Sequence, residues 1–324
     1  MRLDACNGWA ARNDIPAGQR RTQTLAQTND LNRWTLKGIL EGPYPTGTDA
    51  GWITVNLTSG QVAADQENFK QIQSAYTVCL NETAQAVAGL QPLTAFLETI
   101  IASFGGGSSS AANVSGPSTL FEGLGIPTLQ TLAVFQDDID PDSNLVAIGP
   151  PSFTDIPPTN ASLAGYFKVA SVLFAAAHPA KPSVAAAEAL LRRVVTFETQ
   201  LLAFATKGLQ EQQENATDDT PVTKLSLTAL NSQAPALSLP SVLGALVPAG
   251  YRVERLLVEA PTYYANASRL VANTSAEILQ AFYLWRGIVA LAPYIVAEEA
   301  SDFNRFQIST AGGDPDSQQQ QVSC

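Results

Sequence analysis

The chain has 324 residues, a net charge of −11 and a pI of about 4.5. An apolar fraction of 45% is normal for a globular protein, while the acidic balance argues against nucleic acid and anionic membranes as partners, because both repel an acidic surface. No run of 18 apolar residues is present to cross a bilayer, and the N-terminus lacks the residue order of a signal peptide.

The first long periodic stretch, ADQENFKQIQSAYTVCLNETAQAV, predicts an amphipathic helix. Its apolar stripe is expected to face a core, and Asp65 is the predicted N-cap. Asn81 is about 200° round the helix from the last residue of the stripe, so its side chain is predicted to face solvent. The residues of the stripe are Phe69, Ile72, Tyr76 and Cys79.

The middle of the chain is punctuated by glycine, proline and serine. Residues 105–118, GGGSSSAANVSGPS, predict a flexible surface loop. Two short stretches, LAVFQ and NLVAIG, mix β-branched and apolar residues between breakers and predict strands. The predicted β structure is therefore a small element near residues 130–150.

Two later stretches repeat the helical period, and each predicts a core-facing helix. Pro293 lies late in the second stretch, where a kink or a stop is expected. The tail, residues 311–324, is polar. The prediction is a mainly α, multi-helix, bundle-like domain over residues 1–324. The two predicted stripes are Leu190, Val194, Phe197, Leu201 and Phe204, and then Ile278, Phe282, Trp285, Val289 and Ala292.

The single histidine, His178, limits the chemistry that this chain can perform. A zinc peptidase of the HExxH type needs two imidazoles one helical turn apart and a glutamate base. His178 precedes a proline at a predicted helix end, where a surface or capping role is favoured over a metal ligand. A Ser/His/Asp triad would also need this histidine, but no GxSxG elbow accompanies it.

Other candidate motifs are incomplete. Asp138, Asp140 and Asp142 imitate the start of a calcium loop, but its sixth and twelfth positions are serine and glycine, so a solvated acidic turn is favoured. The triple glycine at 105–107 lacks the GK[ST] of a phosphate loop. Glu198 lies on an apolar helix, which predicts a structural ion pair with a cationic partner rather than a catalytic acid.

The compartment is indicated by acceptor asparagines. Asn-X-Ser/Thr occurs seven times, whereas chance would give about two or three such sites. The excess predicts a glycoprotein of the secretory pathway, extracellular or lumenal in location. Three cysteines leave one without an internal partner. The acceptors are Asn56, Asn81, Asn113, Asn160, Asn215, Asn266 and Asn273.

The opening DACNGWAARNDIPAGQRR resembles the YACGGW-x-x-RN-x-IP start of the ectodomain in the neprilysin and endothelin-converting-enzyme family of zinc metallopeptidases. Further stretches are similar in family order: CLNE, the connection FQDDIDPDSNLVAIGPPSFTDIP, the helix VVTFETQLLAFA, and the segment from VEAPTYYA to YLWRG. The resemblance covers residues 4–324. It implies the helical, non-catalytic N-terminal region of such an enzyme, whose members are about twice as long and carry HExxH in the other half. Both ends of the chain are accordingly expected to be cut.

The resemblance also implies roles for individual residues. Cys79 is expected to pair with Cys324, and Cys6 to bridge to the catalytic half, which leaves Cys6 unpaired here; a buried free cysteine in a helix-end turn is the alternative for Cys6. Arg21 matches a family arginine that binds the C-terminal carboxylate of a substrate, against the alternative of a solvated Arg20–Arg21 pair. The second family arginine is Asn29 here, which puts that carboxylate preference in doubt.

These observations predict a region of a zinc metalloendopeptidase that holds no cofactor itself, is inactive alone and reaches peptide substrates through the catalytic half, which carries the zinc. Two alternatives stay open. One is a stand-alone secreted helical protein that binds peptides without cutting them. The other is an unrelated intracellular helical scaffold.

Overall fold

The computed structural model describes residues 8–9, 11–14, 22–44, 58–105, 113–137, 140, 142, 144–156, 160–215 and 223–311. These residues fall into two compact units. The first comprises Met1–Gly89 with Asn304–Cys324, and the second comprises Leu90–Phe303. The mainly α prediction is confirmed, because helices account for most of the described residues.

Three described helices lie in the Met1–Gly89 part of the first unit: α1 (Thr24–Glu41), α2 (Ser59–Cys79) and α3 (Glu82–Ala88). None of these three helices contains a fully buried residue. Gln73 of α2 fastens the end of α1, since its Nε2 donates to the carbonyls of Leu40 at 2.9 Å and Gly42 at 2.7 Å. Within the described residues of this unit, the helices α1 and α2 therefore pair with an open surface and enclose no core.

The openness of the first unit corrects two predictions about α2. Phe69, Tyr76 and Cys79 are only half-buried and Ile72 is 55% exposed, because α2 packs on one neighbouring helix instead of entering a core. The N-cap is Thr58, not Asp65. Thr58 and Gln61 form a capping box, in which each side chain bonds the backbone of the other residue.

The second unit contains α4 (Gln91–Ser103), α5 (Ser115–Gly123), α6 (Asn160–Ala177), α7 (Val184–Glu214), α8 (Leu227–Gln233), α9 (Leu239–Leu246), α10 (Pro261–Ala272) and α11 (Ala276–Leu291). The last helix, α12 (Glu298–Thr310), begins in this unit. Helix α11 is its centre: Ala281 to Ile288 are all buried. The helix ends before Pro293, as predicted, and a short 3₁₀ turn, Ala292–Tyr294, follows.

The predicted stripes of α7 and α11 largely hold. Val194, Phe197 and Leu201 are buried on α7, with Leu190 and Phe204 half-buried at the margins of the stripe. The predicted loop 105–118 is shorter than expected, because α5 begins at Ser115 and buries Pro117 and Ser118; residues 106–112 of that loop lie outside the described residues, as does most of the tail, residues 312–324.

One four-stranded sheet completes the second unit, in the order β1-β2-β4-β3. Strands β1 (Thr131–Gln136) and β2 (Asn144–Gly149) form the predicted element and pair antiparallel, with Leu132 opposite Ile148. Two strands were not predicted, β3 (Thr223–Ser226) and β4 (Arg255–Val258). Strand β4 lies parallel to β2 and antiparallel to β3. Strand β2 is buried, whereas β1 is an exposed edge.

Within the described residues, no single helix is both long and apolar enough to cross a membrane. Two bent pairs, Glu82–Ala88 with Gln91–Ser103 and Ala276–Tyr294 with Glu298–Thr310, meet the length and composition criteria only when taken together.

Candidate functional site

A buried ionic cluster lies at the centre of the second unit, and we call its five residues, Asp155, Tyr166, Glu198, Trp285 and Arg286, the Arg286 cluster. The Arg286 guanidinium donates from Nη1 and Nη2 to the two oxygens of Asp155, each at 2.8 Å. Its Nε lies 2.8 Å from Oε1 of Glu198 in an ion pair that lacks the alignment of a hydrogen bond. Tyr166 donates to Asp155 at 3.1 Å and accepts from Trp285 Nε1 at 3.0 Å.

The charges of the Arg286 cluster do not balance unless one carboxyl holds a proton. One guanidinium faces two carboxyls, and Glu198 is 0% exposed. Burial raises the pKa of Glu198 to about 8, although Arg286 opposes the shift. Burial alone would also raise the pKa of Asp155, but Arg286 and its hydrogen bonds hold it below the ordinary value. The pKa shifts therefore place the firmly ionised carboxyl at Asp155 and the more easily protonated one at Glu198.

The prediction of a cationic partner for Glu198 is confirmed, and the partner is Arg286. Arg286 and Asp155 were not predicted as members of this cluster. Arg286 could have been found, because it is the one charge in the apolar run LQAFYLWRGIVAL and must have a partner when that helix is buried. Asp155 carries no such signal, since it lies in an irregular connection rich in proline.

A half-buried carboxyl outside the Arg286 cluster, Glu122, lies at the start of the sheet. Burial raises its pKa to about 8, although the neighbouring Gln130 side chain and Leu132 backbone oppose the shift. Nearby, the hydroxyls of Ser118 and Tyr283 lie 2.5 Å apart. Glu122 therefore lies next to the first residues of strand β1.

The first unit carries an open groove of about 700 Å³. Both of its walls are helical, formed by the C-terminal ends of α1 and α2. The hydroxyl of Tyr76 donates to Glu41 there at 3.3 Å. The lining is an even mixture of polar and apolar side chains and brings no nucleophile next to a base. The groove is lined by Leu40, Glu41, Gln73, Tyr76, Thr77, Leu80 and Asn81.

Several predicted site residues lie outside the described residues: Cys6, Arg21, Asn56 and Cys324. The pairing of Cys79 with Cys324 and the substrate contact of Arg21 therefore stay predictions. Cys79 is half-buried at the last residue of α2, and Asn29 is exposed on α1. Asn160 begins α6, but its side chain is not among those described.

The described acceptor asparagines use their side chains in different ways. Asn81 caps α3, since its Oδ1 accepts from the N–H of Ala84 at 3.0 Å. Asn113 likewise accepts from the N–H of Ser115. In contrast, Asn215, Asn266 and Asn273 each donate their Nδ2 to a helix carbonyl four residues earlier, and Nδ2 is the atom that a glycan would modify.

The residues present do not fit a zinc ion. His178, the one imidazole of the chain, lies at the end of α6, where its Nδ1 accepts from the N–H of Ala180 at 3.0 Å and its ring packs on Phe174. Burial and the charge of Lys181 lower its pKa. Across the described ranges, no three His, Cys, Asp or Glu side chains are grouped so that they could hold a metal. No catalytic step is therefore derived through a metal on this chain.

Comparison with known proteins identifies the family. The N-terminal model of peptidase family M13 matches residues 4–324, so the chain belongs to peptidase family M13. The resemblance to neprilysin-like metallopeptidases is thereby confirmed. Comparison with curated protein sequences gives no match.

Solved structures share the fold. The zinc metalloprotease ZMP1 of Mycobacterium tuberculosis in complex with an inhibitor superposes with a TM-score of 0.70 at 18% identity, over 94% of this chain and 43% of that one. The open state of the same protein superposes with a TM-score of 0.66 at 19% identity, over 96% of this chain and 44% of that one. PepO from Lactobacillus rhamnosis HN001 superposes with a TM-score of 0.65 at 16% identity, over 99% of this chain and 47% of that one. The chain thus spans less than half the length of each of these proteins.

Proposed function

We propose that this chain is the non-catalytic N-terminal region of a neprilysin-like zinc metalloendopeptidase, and that it acts on peptides only together with a catalytic half. The observation that carries the proposal is the family match over residues 4–324 in a chain that spans less than half of the solved proteins it resembles. Zinc chemistry is assigned to the other half, because the residues described here offer no metal cluster.

The surface of the first unit supports this proposal. Helix α1 exposes large apolar side chains, with Trp34 68% and Leu31 66% exposed. Leu25, Leu36 and Ile39 are also exposed, and an apolar surface of this kind marks an interface. A catalytic half that packed on α1 would cover it.

We expect the 324-residue chain alone to cut no peptide and to bind no stoichiometric zinc. Quenched peptide substrates and metal analysis of the purified chain measure both. Co-expression with the HExxH-bearing half of an M13 peptidase is expected to yield a complex with chelator-sensitive cleavage. Trp34→Lys should weaken that complex, whereas Val87→Lys, an exposed change on α3, should not. Zinc-dependent turnover by the chain alone would contradict the proposal.

An extracellular or lumenal location is part of the proposal, and it predicts glycosylation. In a eukaryotic secretory host, at least three of the seven acceptors are expected to carry glycans. Asn81 is the first choice, because it caps α3 through Oδ1 and keeps Nδ2 available. Asn266 is less favoured, because its Nδ2 donates to the Thr262 carbonyl at 3.1 Å.

Gel mobility before and after glycosidase treatment measures the number of glycans. Thr83→Ala is the sharper variant for the Asn81 site, because it removes the acceptor motif and leaves the cap of α3 intact. It should remove one mobility step, and Thr77→Ala, which touches no acceptor motif, should remove none. Secreted material that does not shift at all would contradict the secretory location.

A further inference from the structure

Strand β1 is an edge strand without the usual protection. Its sequence, TLAVFQ, has no charge and no proline, although edge strands commonly carry one or the other to prevent pairing with other chains. Val134 is 69% exposed and Phe135 is 54% exposed, on opposite faces of the strand. Among the described residues, β1 pairs only with β2 and ends the sheet.

The hydrogen bonds fix which backbone groups face outward. Leu132 lies opposite Ile148 in the antiparallel pair. The carbonyl of Ile148 accepts from the N–H of Glu259 at 2.9 Å, so Ile148 faces away from β1. Leu132, as the partner of Ile148 in this pair, therefore also points its N–H and C=O away from β2. Facing directions alternate along an antiparallel pair, so Val134 also points its N–H and C=O away from β2.

An acidic side chain lies beside the start of β1, and an acidic residue shortly precedes the strand that pairs with its end. At the start of β1, a Cβ built on Gly149 would meet Glu259 Oε2 at 2.8 Å and Thr131 Oγ1 at 3.0 Å, which places the exposed Glu259 beside the first residue of the strand. At its end, the exposed Asp142 lies two residues before Asn144, the partner of the last residue of β1.

Two described cations lie at that end of the strand, and both contact the carboxylate of Asp137. Asp137, which follows β1, is engaged with Arg255 at 2.5 Å and with Lys224 at 3.5 Å. The chain as a whole carries a net charge of −11. A peptide that binds at this edge is therefore expected to bind more tightly if it carries positive charge.

We propose that β1 is a docking edge for an extended, cationic peptide that adds to the sheet as a strand. The peptide would exchange backbone hydrogen bonds with Val134, set apolar side chains against Val134 and Phe135, and place basic residues near Glu259 and Asp142. A second copy of this chain fits less well, since antiparallel pairing of two β1 strands would bring the acidic start of one against the acidic end of the other. The inference goes beyond the proposed function, because it requires no proteolysis.

Direct binding to the full 324-residue chain tests the proposal. The probe is a fluorescein-labelled peptide, Lys-Lys-Val-Thr-Val-Thr-Lys-Lys, followed by fluorescence anisotropy. Replacing its lysines by glutamates tests charge, and replacing its threonines by prolines removes backbone donors without changing charge. Both altered peptides should bind at least tenfold more weakly, and binding of the parent peptide should fall as salt is raised.

Two variants of β1 test the location. Val134→Pro removes an outward N–H at an edge, where proline is tolerated, and Val134→Lys adds the charge that protects edge strands. Each should weaken binding at least tenfold with an unchanged circular dichroism spectrum. Val172→Lys, the same change at an exposed position of α6, should leave binding intact.

The proposal would be overturned if the Val134 variants bound the parent peptide as tightly as the wild-type chain does, or if the wild-type chain did not bind it. A dimer of the wild-type chain that Val134→Lys separates in light scattering would also overturn it, because the edge would then belong to a second copy. These outcomes are independent of cleavage. The docking edge can therefore fail while the proposed function stands, and the reverse is equally possible.

Discussion

Replacing Arg286 by methionine is expected to lower the free energy of unfolding by about 3–5 kcal/mol at neutral pH, the usual cost of removing one partner from a buried ion pair. Arg286 is 5% exposed and binds both oxygens of Asp155. Without the guanidinium, the Asp155 carboxylate would be left in the core with only the Tyr166 hydroxyl as a partner from the Arg286 cluster. Methionine keeps much of the volume, so the loss reports mainly the buried charge.

Chemical denaturation measures this effect, and two further variants control it. Arg193→Met removes an exposed pair with Glu277 and should cost less than about 1 kcal/mol. The double change Arg286→Met with Asp155→Asn should recover part of the loss, because no charge then remains at Asp155. If Arg286→Met cost no more than Arg193→Met, the cluster would not have the energetic role assigned to it.

Glu198→Gln is expected to change how stability depends on pH. The pKa of Glu198 rises from its ordinary value of 4.5 to about 8 in the folded chain. The contribution of protonated Glu198 to the free energy of unfolding is therefore fully present below a pH of about 4.5. It is lost progressively as the pH rises to about 8. Glutamine imitates the protonated acid, so the variant should match the wild type in acid and exceed it at pH 8, by on the order of 4 kcal/mol.

Unfolding curves at several pH values check the prediction. Glu122 titrates in the same range with the same sign, so the difference between wild type and variant isolates Glu198. Glu188→Gln, an exposed change on the same helix, should shift stability little at any pH. A large loss of stability for Glu198→Gln at neutral pH would instead mean that Glu198 is the ionised partner of Arg286.

The helices and their buried faces could be predicted from the sequence, because they depend on the periodicity of apolar residues. The helical stripes of α7 and α11 follow from apolar residues that recur on one face, and the stop before Pro293 follows from the missing N–H of proline. The same rule failed for Ile72, because a stripe predicts burial only if a second layer covers the helix. Strands β3 and β4 have four residues each, which is too short for a period to be visible.

The candidate sites were less predictable, because their members are distant along the chain. Arg286 meets Asp155 across 131 positions, and no local pattern links them. The exposed edge of β1 likewise depends on which strand becomes its neighbour. The sequence predicted strand β1 itself, but not that β2 would be its single partner among the described strands.

The parallel pairing of β2 with β4 has a consequence for the order of folding. Val146 and Leu256 are partners about 110 residues apart, and four helices of the second unit, α6 to α9, lie between them in the chain. Closing a loop of that length costs entropy before any strand bond repays it, whereas each helix forms from near neighbours. We therefore expect the helices to assemble first and the sheet to close last. A nascent chain would have to emerge beyond Val258 before the sheet could form.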